Sequence, residues 1–229
     1  MRRVVLLALA VVLPASTGPE TRHLLGRSLE GRLIPAIELG DPASERKALV
    51  VGCIHGNECA GMAILRRLER LGPVEGVDLW LVPDANPDGH AAGVRWNARH
   101  VDLNRNFPWR WLRQGGVYDS GPAPGSERET KIAMRLILRL RPKVTIWFHQ
   151  HLHMVVLTSG DLALQRRFAR LVGLRAGRLP RYPGTATGWQ NARLPGTTAF
   201  VVELPAGPLS SRAAARYARA VRSVVAPGW

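Results

Sequence analysis

The stretch ALVVGCIHGNECAGMAILRRL, residues 48–68, passes from an apolar, β-branched segment through a polar turn into a pattern of helical spacing. The first part predicts a buried strand, and the apolar residues that recur from Met62 to Leu71 predict one face of a helix. His55 and Glu58 lie at the junction, three residues apart, where both side chains can reach one side of a turn. Such a pair arises by chance in many proteins, so its meaning depends on the rest of the chain.

Strand-like and helix-like segments alternate through the remaining sequence. After a hairpin pattern at 26–40, strand patterns occur at 77–83, 143–158 and 197–205, and helix patterns occur at 126–140, 161–174 and 210–225. This alternation predicts an α/β fold in which helices cover both faces of a sheet. We expect residues 18–229 to form a single-domain three-layer sandwich with a mixed, mostly parallel central sheet flanked by helices.

The N-terminal segment MRRVVLLALAVVLPAS has two arginines, an apolar run of about ten residues and then small residues, which is the order found in a secretory signal peptide. A buried first strand or helix is the alternative. No other stretch approaches the ~18 apolar residues that a transmembrane helix needs. We therefore expect residues 1–17 to be a signal peptide. The mature chain would be secreted or held in the cell wall or periplasm, without stable membrane insertion.

The chain is strongly basic, with a formal net charge of +15 at pH 7. Its arginines are scattered over helix-like stretches and form no single run interleaved with aromatic residues, so we expect no nucleic-acid partner. Solvated helix faces explain most of this charge. A weak attraction to an acidic surface, such as an anionic cell wall, is the other interpretation.

The sequence contains two cysteines, Cys53 and Cys59, which both lie in the opening stretch. In an exported protein they could form a disulfide, which requires Cα atoms within about 7 Å of each other. Because one cysteine lies at a strand end and the other at the start of a helix, buried free thiols are the favoured interpretation.

Polar side chains occur at or just after the ends of apolar strands in four places: His55 with Glu58, Asn104 with Arg105, His149, and Glu203. Sites in open α/β sheets form at the carboxyl ends of the strands. Two histidines and one glutamate are a known ligand set for catalytic zinc, and His55, Glu58 and His149 supply that set. Strand alternation places His151 and His153 on the same face as His149, but His149 is the first to leave the apolar run.

In this order, the motifs HGNE, NPDG and NARHVDLNRNFP, a histidine after VTIWF, and FVVELP resemble the zinc metallocarboxypeptidase family. Within that family the chain is most similar to the bacterial murein peptide amidase branch. The resemblance extends from about Lys47 to Pro205. HGNE alone is a weak signal, whereas the ordered set is specific.

The resemblance implies a role for each matching residue. His55, Glu58 and His149 would hold one zinc ion, and Asp102 would accept a hydrogen bond from His55 and fix its tautomer. Glu203 would be the general base that activates the zinc-bound water and later delivers the proton to the leaving amine.

The resemblance also implies how the substrate is held. Arg95, with Arg99 as the alternative, would help zinc stabilise the oxyanion. Asn104 and Arg105 would bind the terminal carboxylate of the substrate. Tyr182 would cover the bound residue from a mobile loop, and Thr187 would face the specificity pocket.

The implied activity is hydrolysis of a peptide amide next to a residue with a free carboxylate. Peptidoglycan stem peptides, cut at the γ-D-glutamyl–diaminopimelate bond, are the expected substrate within the resembled branch. An N-acyl amino acid deacylase of the aspartoacylase-like kind is the alternative, because those enzymes share an H-x-x-E motif, a later histidine and a strand-end glutamate. A catalytically inactive, basic wall-binding protein is a third hypothesis from a different class.

Overall fold

The computed structural model describes residues 20–228, which form one mixed sheet between two layers of helices. The strands are β1 (Glu20–Arg27), β2 (Leu33–Gly40), β3 (Lys47–Val51), β4 (Asp78–Val82), β5 (Val144–Gln150), β6 (Met154–Val156), β7 (Arg175–Gly177) and β8 (Thr198–Leu204). The helices are α1 (Gly61–Leu71), α2 (Pro87–Ala92), α3 (Arg128–Leu140), α4 (Leu162–Val172), α5 (Ala186–Arg193) and α6 (Ser211–Val225). The predicted signal peptide, residues 1–17, lies outside the described residues.

The sheet contains eight strands in the order β1-β2-β4-β3-β5-β8-β6-β7. Its centre is parallel, because β3 pairs in parallel with β4 and β5, and β5 pairs in parallel with β8. The antiparallel pairs are β1 with β2, β2 with β4, and β6 with β8. The prediction of a mixed, mostly parallel sheet flanked by helices is therefore confirmed.

The central strands are apolar almost throughout because helices cover both faces of the sheet. In β3, Ala48 and Val50 pack into the core beneath α1, α4 and α6, whereas Leu49 and Val51 pack into the core beneath α3 and α5. Strand alternation thus divides one short segment between two hydrophobic cores. None of the helices within residues 20–228 has the length and apolar character needed to cross a membrane.

The strand that carries His149 is shorter than its sequence suggests. β5 ends at Gln150, and a turn of three exposed residues leads to β6 at Met154. His153 adopts a positive φ of 52° in this turn. The prediction that alternation places His151 and His153 on the same strand face as His149 is therefore wrong, because both follow the end of the strand.

Candidate active site

The turn between β3 and α1 brings His55 and Glu58 to the carboxyl edge of the sheet. The side chain of His55 is buried, and that of Glu58 is 12% exposed. The backbone at Gly56 lies directly against the backbone of Gly89, so a Cβ atom built on Gly56 would overlap it. Only glycine fits at position 56, because any side chain would overlap Gly89. This close approach holds the HGNE turn against the NPDG segment.

Three candidate metal-binding atoms form a small triangle at this edge. Nδ1 of His55 lies 3.0 Å from Oε2 of Glu58, and Nδ1 of His149 lies 3.1 Å from each of these two atoms. Zn–N bonds of about 2.0–2.1 Å at a tetrahedral angle place two ligand atoms of one zinc ion about 3.4 Å apart. The nitrogen and oxygen donors and their separations fit zinc. Among the residues described, this is the set that could hold a metal ion, and it is the set predicted from the sequence.

Asp102 connects the metal ligands to Arg95. Its Oδ1 accepts a hydrogen bond from Nε2 of His55 at 3.0 Å, and its Oδ2 accepts one from Nε of Arg95 at 2.9 Å. Nη1 of Arg95 in turn donates to Oε1 of Glu58 at 2.9 Å. The bond to Asp102 leaves Nδ1 of His55 free to face a metal, which is the arrangement expected of a histidine ligand.

These contacts keep both carboxyl groups ionised. Burial by itself raises the pKa of Asp102, but the charges and hydrogen bonds of His55 and Arg95 outweigh it, so the pKa lies well below its usual range. Burial also opposes ionisation of Glu58, but the adjacent imidazole rings of His149 and His55 bring its pKa well below normal. Since a metal ligand must be deprotonated, Glu58 is ready to bind a cation at neutral pH.

Glu203 lies beside His149 on the adjacent strand. In the parallel pairing of β5 with β8, His149 is in register with Glu203, so both side chains leave the same face of the sheet. Glu203 is 9% exposed, and its Oε2 accepts a hydrogen bond from the backbone N–H of Leu152 at 3.4 Å. Glu203 therefore lines the same cavity as the metal-binding triangle without being one of its three donors.

Asn104 and Arg105 lie in a short 3-10 turn that begins after Asp102. The Asp102 side chain accepts a hydrogen bond from the backbone N–H of Asn104 at 2.9 Å and so caps this turn. Oδ1 of Asn104 accepts from the backbone N–H of Ala186 at 2.9 Å, which ties the turn to the start of α5. Arg105 is 6% exposed; this burial lowers its pKa, while the charge of Asp102 opposes the shift.

The predicted residues open onto one cavity of about 590 Å³. Nine of the ten residues proposed from the sequence line it: His55, Glu58, Arg95, Asn104, Arg105, His149, Tyr182, Thr187 and Glu203. The tenth, Asp102, is fully buried behind His55. The alternative Arg99 is not among the lining residues; its side chain is 53% exposed and lies 3.9 Å from Glu127. Of these two arginines, Arg95 is the one that lines the cavity and contacts Glu58.

Sequence reasoning missed several residues of the cavity wall: Trp109, Tyr118, Arg178 and Arg181. The first two belong to the long polar segment after DLNRN, and the other two belong to the loop that precedes Tyr182. Their path across the cavity depends on tertiary contacts that local sequence patterns do not indicate.

Cys53 and Cys59 form a disulfide, with Cα atoms 4.6 Å apart. The prediction of free thiols is therefore wrong. The strand ends at Val51 and the helix begins at Gly61, so both cysteines belong to the intervening turn, which brings their backbones together. This disulfide spans the HGNE motif.

An Asp102→Asn substitution is expected to weaken zinc binding about 10- to 100-fold. One oxygen of Asp102 becomes an NH₂ group, which must face a donor on either His55 or Arg95. The measurement is zinc competition against a chelating dye, with the exposed Asp41→Asn as the control. Equal zinc affinity in the two variants would contradict the role of Asp102.

The model of the zinc carboxypeptidase family matches residues 17–161, more than half of the chain. Murein peptide amidase A of Escherichia coli (strain K12) is 36% identical over 149 residues, which cover 58% of this chain and 60% of that protein. Carboxypeptidase D of Drosophila melanogaster is 34% identical over 125 residues, which cover 42% of this chain and 9% of that protein. The chain thus matches less than two thirds of the length of these relatives.

Solved structures agree over a longer range. The murein-tripeptide amidase of Escherichia coli O157 has a TM-score of 0.73 at 27% identity, with 92% of this chain and 94% of that chain covered. Carboxypeptidase A of Helicoverpa armigera has a TM-score of 0.77 at 19% identity, with 90% and 67% covered, and shows the fold alone. The family match and the two-histidine, one-glutamate site show that this chain belongs to the zinc carboxypeptidase family.

Proposed function

We propose that this chain hydrolyses a peptide amide adjacent to a residue with a free carboxylate, using one zinc ion. The observation that carries the proposal is the placement of three groups around one cavity. The metal-binding triangle of His55, Glu58 and His149 lines it, Glu203 is in register with His149 on the adjacent strand, and Arg105 supplies a positive charge at the wall.

Glu203 acts as the general base and then the general acid. When bound, zinc polarises the scissile carbonyl and brings the pKa of water towards about 7. The Glu203 carboxylate takes one proton from the attacking water and passes it to the leaving nitrogen as the C–N bond breaks. Its position on β8 fits this exchange, because it is in register with the ligand His149 and is not itself a metal ligand.

Arg95 stabilises the negative charge that develops on the carbonyl oxygen. Its Nε and Nη1 atoms are held by Asp102 and Glu58, so the guanidinium group is oriented before substrate arrives. A donor that needs no reorganisation during the reaction contributes most to stabilising a transition state.

Asn104 and Arg105 bind the substrate carboxylate, and the guanidinium group of Arg105 matches its two oxygens. Tyr182, which is 42% exposed, covers the bound residue, and the buried Thr187 faces the side chain of that residue. Asn104 and Arg105 thereby select substrates that end in, or release, a residue with a free carboxyl group.

The proposed substrate is a peptidoglycan stem peptide, cleaved at the γ-D-glutamyl–diaminopimelate bond. The 36% identity to a murein peptide amidase supports this choice. Residues 1–17 would direct export of the chain, whose net charge is +15. This charge would attract the exported protein to an anionic wall, near that substrate.

The test is incubation of the zinc-loaded protein with L-Ala-γ-D-Glu-meso-diaminopimelate, with ordinary dipeptides and with N-acetyl amino acids, followed by mass spectrometry. We expect release of diaminopimelate from the tripeptide. Cleavage of the N-acetyl amino acids alone would identify a deacylase. No cleavage of any class by protein that contains zinc would contradict the proposed activity.

A further inference from the structure

Tyr118 lies at the cavity wall in a position that neither the motifs nor the family resemblance indicates. It ends a 3-10 turn, Gly116–Tyr118, in the long polar segment that follows DLNRN. Tyr118 is 48% exposed and lines the same cavity as the metal ligands. The residue is therefore accessible to a ligand and close to the groups proposed to bind one.

The ring of Tyr118 contacts two guanidinium groups. Its centroid lies 5.1 Å from Cζ of Arg105 and 5.5 Å from Cζ of Arg95. The ring of Tyr182 lies 4.7 Å from Cζ of Arg105. These distances are within the ~6 Å range of cation–π attraction. Arg105 is thus held by two tyrosine rings that come from different loops.

The backbone on both sides of Tyr118 is fixed by hydrogen bonds. The carbonyl oxygen of Val117 accepts from Nε1 of Trp96 at 3.0 Å, and the carbonyl oxygen of Asp119 accepts from the backbone N–H of Asp102 at 2.7 Å. Trp96 follows Arg95 in the chain, and Asp102 is the partner of Arg95. The turn is therefore attached to the segments that carry the site.

The guanidinium group of Arg105 has few other contacts that could orient it. Its Nη1 donates to the carbonyl oxygen of Asn104 at 2.9 Å, and across residues 20–228 no carboxylate lies within ion-pair distance of it. Flat aromatic faces restrict the plane of the guanidinium group while leaving its N–H edge available. A carboxylate binds that edge through two parallel hydrogen bonds.

We propose that Tyr118 is a positioning residue for the substrate carboxylate: with Tyr182, its ring holds the guanidinium group of Arg105 in the plane that the carboxylate requires. This inference deepens the proposed function and rests on it for the identity of the carboxylate ligand. The ring is the active part, so phenylalanine at this position should suffice.

The experiment measures binding by calorimetry, with turnover blocked by Glu203→Gln in the zinc-loaded protein. The ligands are L-Ala-γ-D-Glu-meso-diaminopimelate and its analogue in which the carboxylate next to the scissile amide nitrogen is an amide. Tyr118→Leu is expected to weaken binding of the free acid about tenfold and leave the amide unchanged. Tyr118→Phe should remain within about twofold of the parent, as should the control Val117→Ala. Tyr118→Gln replaces the leucine variant if that variant does not fold.

A double-mutant cycle separates positioning from a general structural effect. In an Arg105→Ala background, Tyr118→Leu should change the Kd of the tripeptide by less than about twofold. A tenfold loss in both backgrounds, or equal loss for the acid and the amide, would overturn the proposal. An absence of tripeptide binding to the Glu203→Gln protein with Tyr118 intact would also overturn the proposal.

The two proposals fail separately. If protein with Glu203 intact does not hydrolyse the tripeptide but the binding differences persist, the proposed function fails and the role of Tyr118 stands. If the tripeptide is hydrolysed and Tyr118→Leu binds it normally, only the role of Tyr118 is wrong.

Discussion

A Glu203→Gln variant is expected to bind zinc normally and to lose almost all turnover. The amide side chain has nearly the shape of the carboxylate, so the pairing of β8 with β5 should be preserved, but it cannot accept the proton of water. Loss of a general acid–base group typically reduces kcat by about 10²- to 10⁴-fold. The measurement combines kcat on the stem tripeptide with zinc content by atomic emission.

The matched control for this variant is Glu75→Gln, because Glu75 is exposed and does not line the cavity. It should retain both zinc and turnover. A Glu203→Gln protein with turnover within about threefold of the parent would remove Glu203 from the mechanism. A variant that loses zinc as well would show that the carboxylate supports the metal site.

Replacing His149 with alanine is expected to abolish zinc binding and turnover together. His149 supplies one of the three donor atoms, and it comes from β5, whereas the other two come from the turn before α1. Zinc therefore links parts of the chain separated by 94 residues. A ligand at 100 times its Kd adds about 2.7 kcal/mol to the free energy of unfolding.

Thermal denaturation reports this linkage independently of activity. A chelator should lower the Tm of the parent protein by about 5–10 °C at that zinc concentration. The Tm of His149→Ala should be unaffected by either zinc or chelator. The control is His23→Ala on the edge strand β1, which should bind zinc like the parent. Chelator sensitivity in His149→Ala would contradict its place among the ligands.

The sequence predicted the fold class and the zinc set because both depend on strong local patterns. Apolar strands that end in polar residues place those residues at one edge of a parallel sheet, which is why His55, His149 and Glu203 could be brought together in advance. The choice of His149 over His151 and His153 rested on its being the first histidine to leave the apolar run, and it agrees with the geometry. The accompanying assumption of a longer strand is wrong.

The features that sequence reasoning missed depend on distances between turns. The disulfide between Cys53 and Cys59 forms because their turn folds back on itself. No periodic pattern of residues indicates such a turn. Tyr118 reaches Arg105 because its turn is hydrogen-bonded to Trp96 and Asp102. Such contacts follow from the path of a long loop, and local propensity says little about that path.

The pairing of His149 with Glu203 determines which segments of the sequence can be altered without disturbing these two residues. Their separation is set by the backbone ladder between β5 and β8, whereas Tyr118 and Tyr182 belong to connecting segments outside that ladder. The mostly exposed stretches 110–113 and 178–181 can therefore be exchanged without moving the proposed base relative to the metal ligand. Grafting these two short stretches from a relative offers a route to new substrate preference that keeps the contacts of Asp102 and Arg105 in place.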